Sequence, residues 1–205
     1  MRLDEVPSGM ECFVDANIFI YHFTGVSEEC SRFLKRCEEG SIEGVTATNV
    51  VLEVLHRLMM VEAVKKGLVT PPNVLRKLQR SPETVRELVD YCSNVEKIPQ
   101  MGIKVLPFSW ETIKDSQAIR SRYGLMVNDS LIVAIMKEKG IAALASNDEA
   151  FEKVEEISLH GEFGRWEFVV CKDPRYIRTI IPRLSFRRRL WRERSYAAPK
   201  RETHI

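Results

Sequence analysis

Short apolar runs alternate with longer stretches of helical periodicity through most of the chain. The apolar runs are rich in β-branched and aromatic residues and predict strands at residues 12–15, 44–48, 104–108, 141–146 and 167–171. The periodic stretches predict helices at residues 16–23 together with 27–39, 49–66, 72–98, 110–122 and 128–139. Because strands that alternate with helices form parallel sheets covered on both faces, the pattern predicts an α/β fold with a central parallel sheet.

The ends of several predicted helices carry residues that favour a start or a stop. Asn128 stands where an N-cap is expected, Gly67 and Gly140 stand where helices end, and Pro82 suits a first turn. The segment 68–103 is longer than a single crossover between parallel strands requires. We expect this segment to form an inserted helical hairpin that is broken near Pro82.

The composition is that of a globular protein without a membrane span. Apolar residues make up 44% and charged residues 29% of the chain, and no uninterrupted apolar run approaches the ~20 residues that a membrane helix needs. The first residues carry acids and lack the apolar core of a secretory signal. Five scattered cysteines show no Cys-x-x-Cys spacing, which favours reduced thiols in a cytoplasmic protein.

The net charge of +2 conceals a strong asymmetry between the body of the chain and its end. Residues 172–205 contain eleven lysines and arginines against three acids, so the first 171 residues hold 20 basic and 26 acidic side chains. An acidic body with a basic extension suits a protein that binds cations in one region and a polyanion in another.

Four acidic residues interrupt apolar segments at or just after predicted strands. Asp15 ends the first strand, Glu53 lies on the helix after the second, Asp129 opens an apolar helix, and Asp148 follows the strand at 141–146. Because sites in open parallel sheets form at the carboxyl ends of the strands, we expect these four carboxylates to meet at one edge of the sheet.

Each acid, taken singly, also has an ordinary structural explanation. Asp129 suits the positive end of a helix dipole, Asp148 suits a turn or an N-cap, and Glu53 suits a helix edge open to solvent. Asp15 is the hardest to explain in this way, since a buried charge needs compensation. Four clustered carboxylates repel one another and require cations, and oxygen ligands without His or Cys select magnesium or manganese.

The four acid motifs, "FVDANIFIY", "VLEVLHRL", "NDSLIVAIM" and "SNDEAF", resemble in order and spacing those of PIN-domain nucleases, most closely the VapC-like ribonuclease toxins. The resemblance covers residues 11–175 and implies a three-layer α/β/α sandwich with a central parallel sheet. It implies that Asp15, Glu53, Asp129 and Asp148 are catalytic metal ligands, with Asn17 and Ser146 as the polar residues that support them.

In functional terms, the resemblance implies a magnesium- or manganese-dependent endoribonuclease that leaves a 5′-phosphate and a 3′-hydroxyl. It also implies a homodimer, and it is compatible with the toxin of a toxin–antitoxin pair whose partner is a small antitoxin protein. Two alternatives remain open: a housekeeping RNA-processing nuclease, and a catalytically silent RNA-binding or scaffold module. The presence of all four acids argues against the silent module.

The basic tail, residues 176–205, has no place in the motif pattern and allows three interpretations. The first interpretation is an ordered helix that packs through its apolar residues. The second is a solvated charge run without function, and the third is an arm that binds RNA. In the last case arginines hold phosphates and an aromatic residue stacks on bases. The residues that this hypothesis assigns to RNA are Arg183, Arg187, Arg188, Arg189, Trp191, Arg192 and Arg194.

Overall fold

The computed structural model describes residues 1–161 of the 205-residue chain. The strand predicted at 167–171 and the whole basic tail lie outside the described residues, as does Cys171. The four cysteines in the described part, Cys12, Cys30, Cys37 and Cys92, are all free thiols.

The centre of the fold is a five-stranded parallel sheet. Its strands are β1 (Glu11–Val14), β2 (Glu43–Ala47), β3 (Lys104–Leu106), β4 (Ala143–Ala145) and β5 (Ser158–His160), in the order β3-β2-β1-β4-β5. The central strand β1 is buried on both faces, because Cys12, Phe13 and Val14 are all fully inaccessible. The arrangement confirms the predicted α/β fold with a parallel sheet.

Helices flank this sheet. They are α1 (Ala16–Thr24), α2 (Glu28–Glu38), α3 (Thr48–Lys65), α4 (Val74–Gln79), α5 (Pro82–Arg86), α6 (Asp90–Val95), α7 (Lys97–Gln100), α8 (Trp110–Tyr123) and α9 (Val127–Lys139). Short 3-10 helices cover Leu3–Glu5 and Glu149–Lys153. In the part of the chain that the structure covers, no helix combines the length and the apolar character needed to span a membrane.

The segment after α3 folds differently from the predicted hairpin. It forms the four short helices α4 to α7, with the first break where Pro82 opens α5. A second apolar cluster, separate from the main core, joins the C-terminal half of α3 to this segment through residues that include Val61, Leu78 and Leu88.

A buried carboxylate fastens the same two parts together. Glu62 of α3 accepts hydrogen bonds from the backbone N–H groups of Val89, at 3.0 Å, and Tyr91, at 2.8 Å, and from Lys66 Nζ at 2.6 Å. Its side chain is only 6% exposed, so these bonds are shielded from water. Glu62 therefore sets the position of α6 relative to α3.

Candidate active site at the carboxyl edge of the sheet

Asp15 lies at the junction between β1 and α1, in the middle of the sheet edge. Its backbone N–H donates to the carbonyl of Ala145 at 3.0 Å, which continues the β1–β4 pairing by one residue. Its side chain is the N-cap of α1 and accepts from the N–H of Ala16 at 2.6 Å. The backbone of Asp15 is thus held by β4 and its carboxylate by the helix that it begins, and only 7% of the residue is exposed.

Asn17 and Ser146 hold the second oxygen of the Asp15 carboxylate. Asn17 Nδ2 donates to Asp15 Oδ2 at 2.6 Å, and Ser146 Oγ donates to the same atom at 2.7 Å. Asn17 Oδ1 in turn accepts from the N–H of Asn147 at 3.1 Å. Both residues that the resemblance placed beside Asp15 therefore contact it directly.

Asp148 is connected to Asp15 through Ser146. The N–H of Asp148 donates to Ser146 Oγ at 3.1 Å, and its own Oδ1 accepts from the N–H of Ala150 at 2.8 Å. Asp148 is the N-cap of the 3-10 helix after β4 and is 5% exposed. Its cap role is real, but it does not exclude a role in the site, since its other oxygen is not engaged by that cap.

Glu53 and Asp129 approach the site from two helices. Glu53 lies on the second turn of α3, where its Oε2 accepts a long hydrogen bond of 3.5 Å from Asn128 Nδ2. Asp129 is the third residue of α9, whose N-cap is Met126. The prediction that Asn128 is the N-cap was therefore wrong, because its side chain turns towards Glu53 instead of the helix end.

The four carboxylates are close enough to perturb one another. Burial, together with the charges of Glu53 and Asp129, raises the pKa of Asp15 to about 7, against the lowering effect of the hydrogen bonds from Ser146 and Ala16. Burial also raises the pKa of Asp129 to about 6, together with the charges of Asp148 and Glu53. At this edge of the sheet, Glu53 and Asp129 therefore act electrostatically on Asp15, and Asp148 and Glu53 act on Asp129.

The donor set fits a hard divalent cation. All four side chains offer carboxylate oxygens, which are the ligands that magnesium and manganese prefer. Within residues 1–161 no three Asp, Glu, His or Cys side chains are already drawn together into a coordination shell.

One charged residue at the site was missed by the sequence analysis. Arg57 lies one helical turn after Glu53 on α3, and its Nη2 is 3.8 Å from Glu53 Oε1. The signal was available in the sequence, since residues four apart share a helix face and Arg57 follows Glu53 by four. The tail residues assigned to RNA lie outside the described residues and have no place in this geometry.

The fold and the site define an α/β protein with an acidic site at the carboxyl edge of a parallel sheet. The model of the PIN domain family matches residues 12–157, which include all four acids. The chain therefore belongs to the PIN domain family, and the resemblance noted from the motifs is confirmed.

Two curated relatives come from Methanocaldococcus jannaschii. Ribonuclease VapC6 is 25% identical over 150 residues, which cover 72% of this chain and 94% of the relative. Ribonuclease VapC2 is 27% identical over 148 residues, which cover 72% of this chain and 91% of the relative. Among solved structures, VapBC2 from Rickettsia felis bound to a promoter DNA fragment matches with 15% identity and a TM-score of 0.48, covering 74% of this chain and 98% of that chain.

Proposed function

We propose that this protein is a divalent-metal-dependent endoribonuclease, with magnesium or manganese as its cofactor. The observation that carries the proposal is the set of four carboxylates around Asp15, in which the charges of neighbouring acids help to raise the pKa values of Asp15 and Asp129. Such a site is unfavourable without a cation and is chemically suited to one. The names of the two curated relatives, both ribonucleases, support RNA as the substrate.

Asp15, Glu53, Asp129 and Asp148 are the side chains that would hold the cation. When bound there, a divalent cation supplies charge stabilisation for a phosphodiester and lowers the pKa of a water molecule. Asp15 is the best oriented of the four, since β1, β4 and α1 all fix its position.

The polar residues around Asp15 stabilise and orient the ionised form of its carboxylate. Asn17 and Ser146 both donate to Oδ2, so they favour the charged form of Asp15, and within residues 1–161 Oδ1 accepts only from the backbone N–H of Ala16. Ser146 also orders Asp148 through its backbone N–H, so one hydroxyl group couples two of the proposed ligands. Such supporting contacts fix the orientation of metal-binding side chains.

The test is cleavage of a defined single-stranded RNA by the purified full chain, with magnesium, with manganese and with EDTA. We expect cleavage with either metal, products that carry a 5′-phosphate, and no cleavage in EDTA. The variant Asp15→Asn should be inactive, whereas Asp115→Asn, which changes an exposed acid on α8, should cleave normally. Equal cleavage by wild type and Asp15→Asn would refute the assignment of the site.

The biological role follows less directly from the residues. We propose the toxin of a toxin–antitoxin pair, acting in the cytoplasm as a homodimer and bound by a small antitoxin protein, because the four motifs resemble those of VapC-like toxins. A housekeeping RNA-processing nuclease uses the same chemistry. Growth arrest on induction of the wild type, but not of Asp15→Asn, together with rescue by a small neighbouring gene, would favour the toxin; normal growth would favour the housekeeping role.

The basic tail is proposed as a second RNA contact. This proposal is based only on the surplus of positive charge in the sequence, since the tail lies outside the described residues. Arg183, Arg187, Arg188, Arg189, Trp191, Arg192 and Arg194 remain the residues assigned to it. Its experimental test is a truncation, described below with the other predictions.

A further inference from the structure

Arg57 carries a partly buried guanidinium that donates no hydrogen bond to any residue among 1–161. Within residues 1–161, its one ion pair joins Nη2 to Glu53 Oε1 at 3.8 Å, and it donates no hydrogen bond. The side chains of Arg57 and Glu53 are only 22% and 24% exposed. Arg57 therefore combines substantial burial with a set of donors that have no acceptor in this part of the protein.

The donors of Arg57 are open to a ligand. A guanidinium group carries five N–H donors in a planar fork, and the 3.8 Å separation from Glu53 is longer than a hydrogen bond. None of these donors is cut off from water, since among residues 1–161 Asn49 Oδ1 is the one buried side-chain oxygen or nitrogen without a hydrogen-bond partner. The guanidinium of Arg57 can therefore exchange water for an acceptor that arrives from solution.

The position of Arg57 indicates the kind of acceptor. Its partner Glu53 is electrostatically coupled to both Asp15 and Asp129, so the guanidinium stands at the border of the four-acid site. A polyanionic strand that approaches four carboxylates meets repulsion, and a cation at the border offsets it. Phosphate oxygens match the guanidinium fork and accept two parallel hydrogen bonds from it.

We propose that Arg57 binds a backbone phosphate of RNA next to the phosphodiester that is cleaved. This inference rests on the proposed ribonuclease function and adds a substrate-binding residue to it. Arg57 fixes the register of the strand relative to the four acids, and Glu53 keeps the guanidinium in place until the phosphate arrives. Since phosphate contacts carry no base information, this contact positions the strand without selecting its sequence.

The experiment measures affinity for a fluorescein-labelled single-stranded RNA of mixed sequence. All variants carry Asp129→Asn, so that the RNA is expected to stay intact, and magnesium is present throughout. Arg57→Gln removes the guanidinium charge, and Arg57→Lys keeps the charge without the fork. The matched control, Arg76→Gln, removes an exposed charge on α4, away from the four acids.

We expect Arg57→Gln to weaken RNA binding about tenfold or more, because it removes hydrogen bonds to a charged group. Its plot of log affinity against log salt should flatten by about 0.7, the value for one phosphate on a single strand. Arg57→Lys should keep the salt slope but recover only part of the affinity, and Arg76→Gln should change neither quantity. In the active background, Arg57→Gln should raise KM more than it lowers kcat.

The experiment distinguishes failure of the proposed Arg57 contact from failure of the proposed ribonuclease function. If wild type cleaves RNA and Arg57→Gln keeps its affinity and salt slope, Arg57 does not hold a phosphate. If Arg57→Lys binds as tightly as wild type, the contact is a general charge effect and the paired hydrogen bonds are excluded. If wild type neither cleaves RNA nor is stabilised by magnesium or manganese, the proposed function itself fails and this inference fails with it.

Discussion

Replacing Asp129 with asparagine should separate catalysis from stability. Asp129 is half-buried on the first turn of α9, and burial, Asp148 and Glu53 together raise its pKa from 3.8 to about 6. The folded protein thus keeps this proton to a higher pH than the unfolded chain does. The free energy of unfolding therefore falls as the pH rises through this interval, and Asp129→Asn removes that loss.

The magnitude follows from the size of the pKa difference. About two pKa units correspond to about 3 kcal/mol, and partial exposure to solvent reduces this figure to roughly half. Asparagine also gives up the favourable interaction of a negative charge with the helix N-terminus, about 0.5 kcal/mol. We therefore expect the metal-free variant to be more stable than wild type by about 1 kcal/mol above neutral pH, and equally stable below about pH 4.

The assay is urea unfolding in EDTA, followed by circular dichroism at both pH values, with RNA cleavage measured in parallel. Asp115→Asn is the control, since Asp115 is an exposed acid on α8 and should change neither stability nor cleavage. The reasoning is refuted if metal-free Asp129→Asn is clearly less stable than wild type at high pH. That result would show that Asp129 serves the helix end and not a cation site.

Four other predictions follow from the same structure and sequence. Magnesium or manganese at a hundredfold excess over its dissociation constant should stabilise the protein by ~2.7 kcal/mol, and an unchanged melting temperature would contradict the cation site. Ser146→Ala should reduce cleavage about ten- to a hundredfold, because the Asp15 carboxylate loses a hydrogen bond that orients it. An unchanged cleavage rate would show that this hydrogen bond is dispensable. Glu62→Ala should lower the free energy of unfolding by about 3 kcal/mol, because two backbone donors lose their acceptor. Urea unfolding measures this loss, and a clearly smaller value would contradict the role of Glu62. Truncation after Asp173 should leave metal binding intact and flatten the salt slope of RNA binding by about 3; an unchanged slope would reject the tail as an RNA grip.

The parts of the fold that the sequence predicted well are those where burial and periodicity agree. The runs that became β1, β2 and β4 are buried along nearly their whole length, so their apolar character reflects the core directly. The strand β5 was not predicted, because Ser158–His160 is short and only partly buried. β5 pairs in parallel with the free edge of β4. Pairing between segments distant in sequence leaves no local signal in the sequence.

The candidate site divides in the same way. The acids stood out because each interrupts an apolar segment. The hydrogen bond from Ser146 to Asp15, in contrast, joins residues 131 positions apart, and no local pattern could place it. The motif resemblance supplied Asn17 and Ser146, and only the structure showed that both reach the same oxygen. Asn128 shows the opposite error, since its preference for helix caps was overridden by its contact with Glu53.

The separation between Asp15 and Ser146 along the chain has a consequence for the timing of activity during synthesis. Asp15 emerges early from the ribosome, but β4, which supplies Ala145 and Ser146, emerges only after more than a hundred further residues. Until then the carboxylate lacks the hydrogen bond from Ser146, and the entropy of closing so long a loop must be offset by β1–β4 pairing. A nascent chain therefore carries an unassembled site while it is still surrounded by ribosomal RNA. The order of translation alone would delay nuclease activity until the domain is nearly complete.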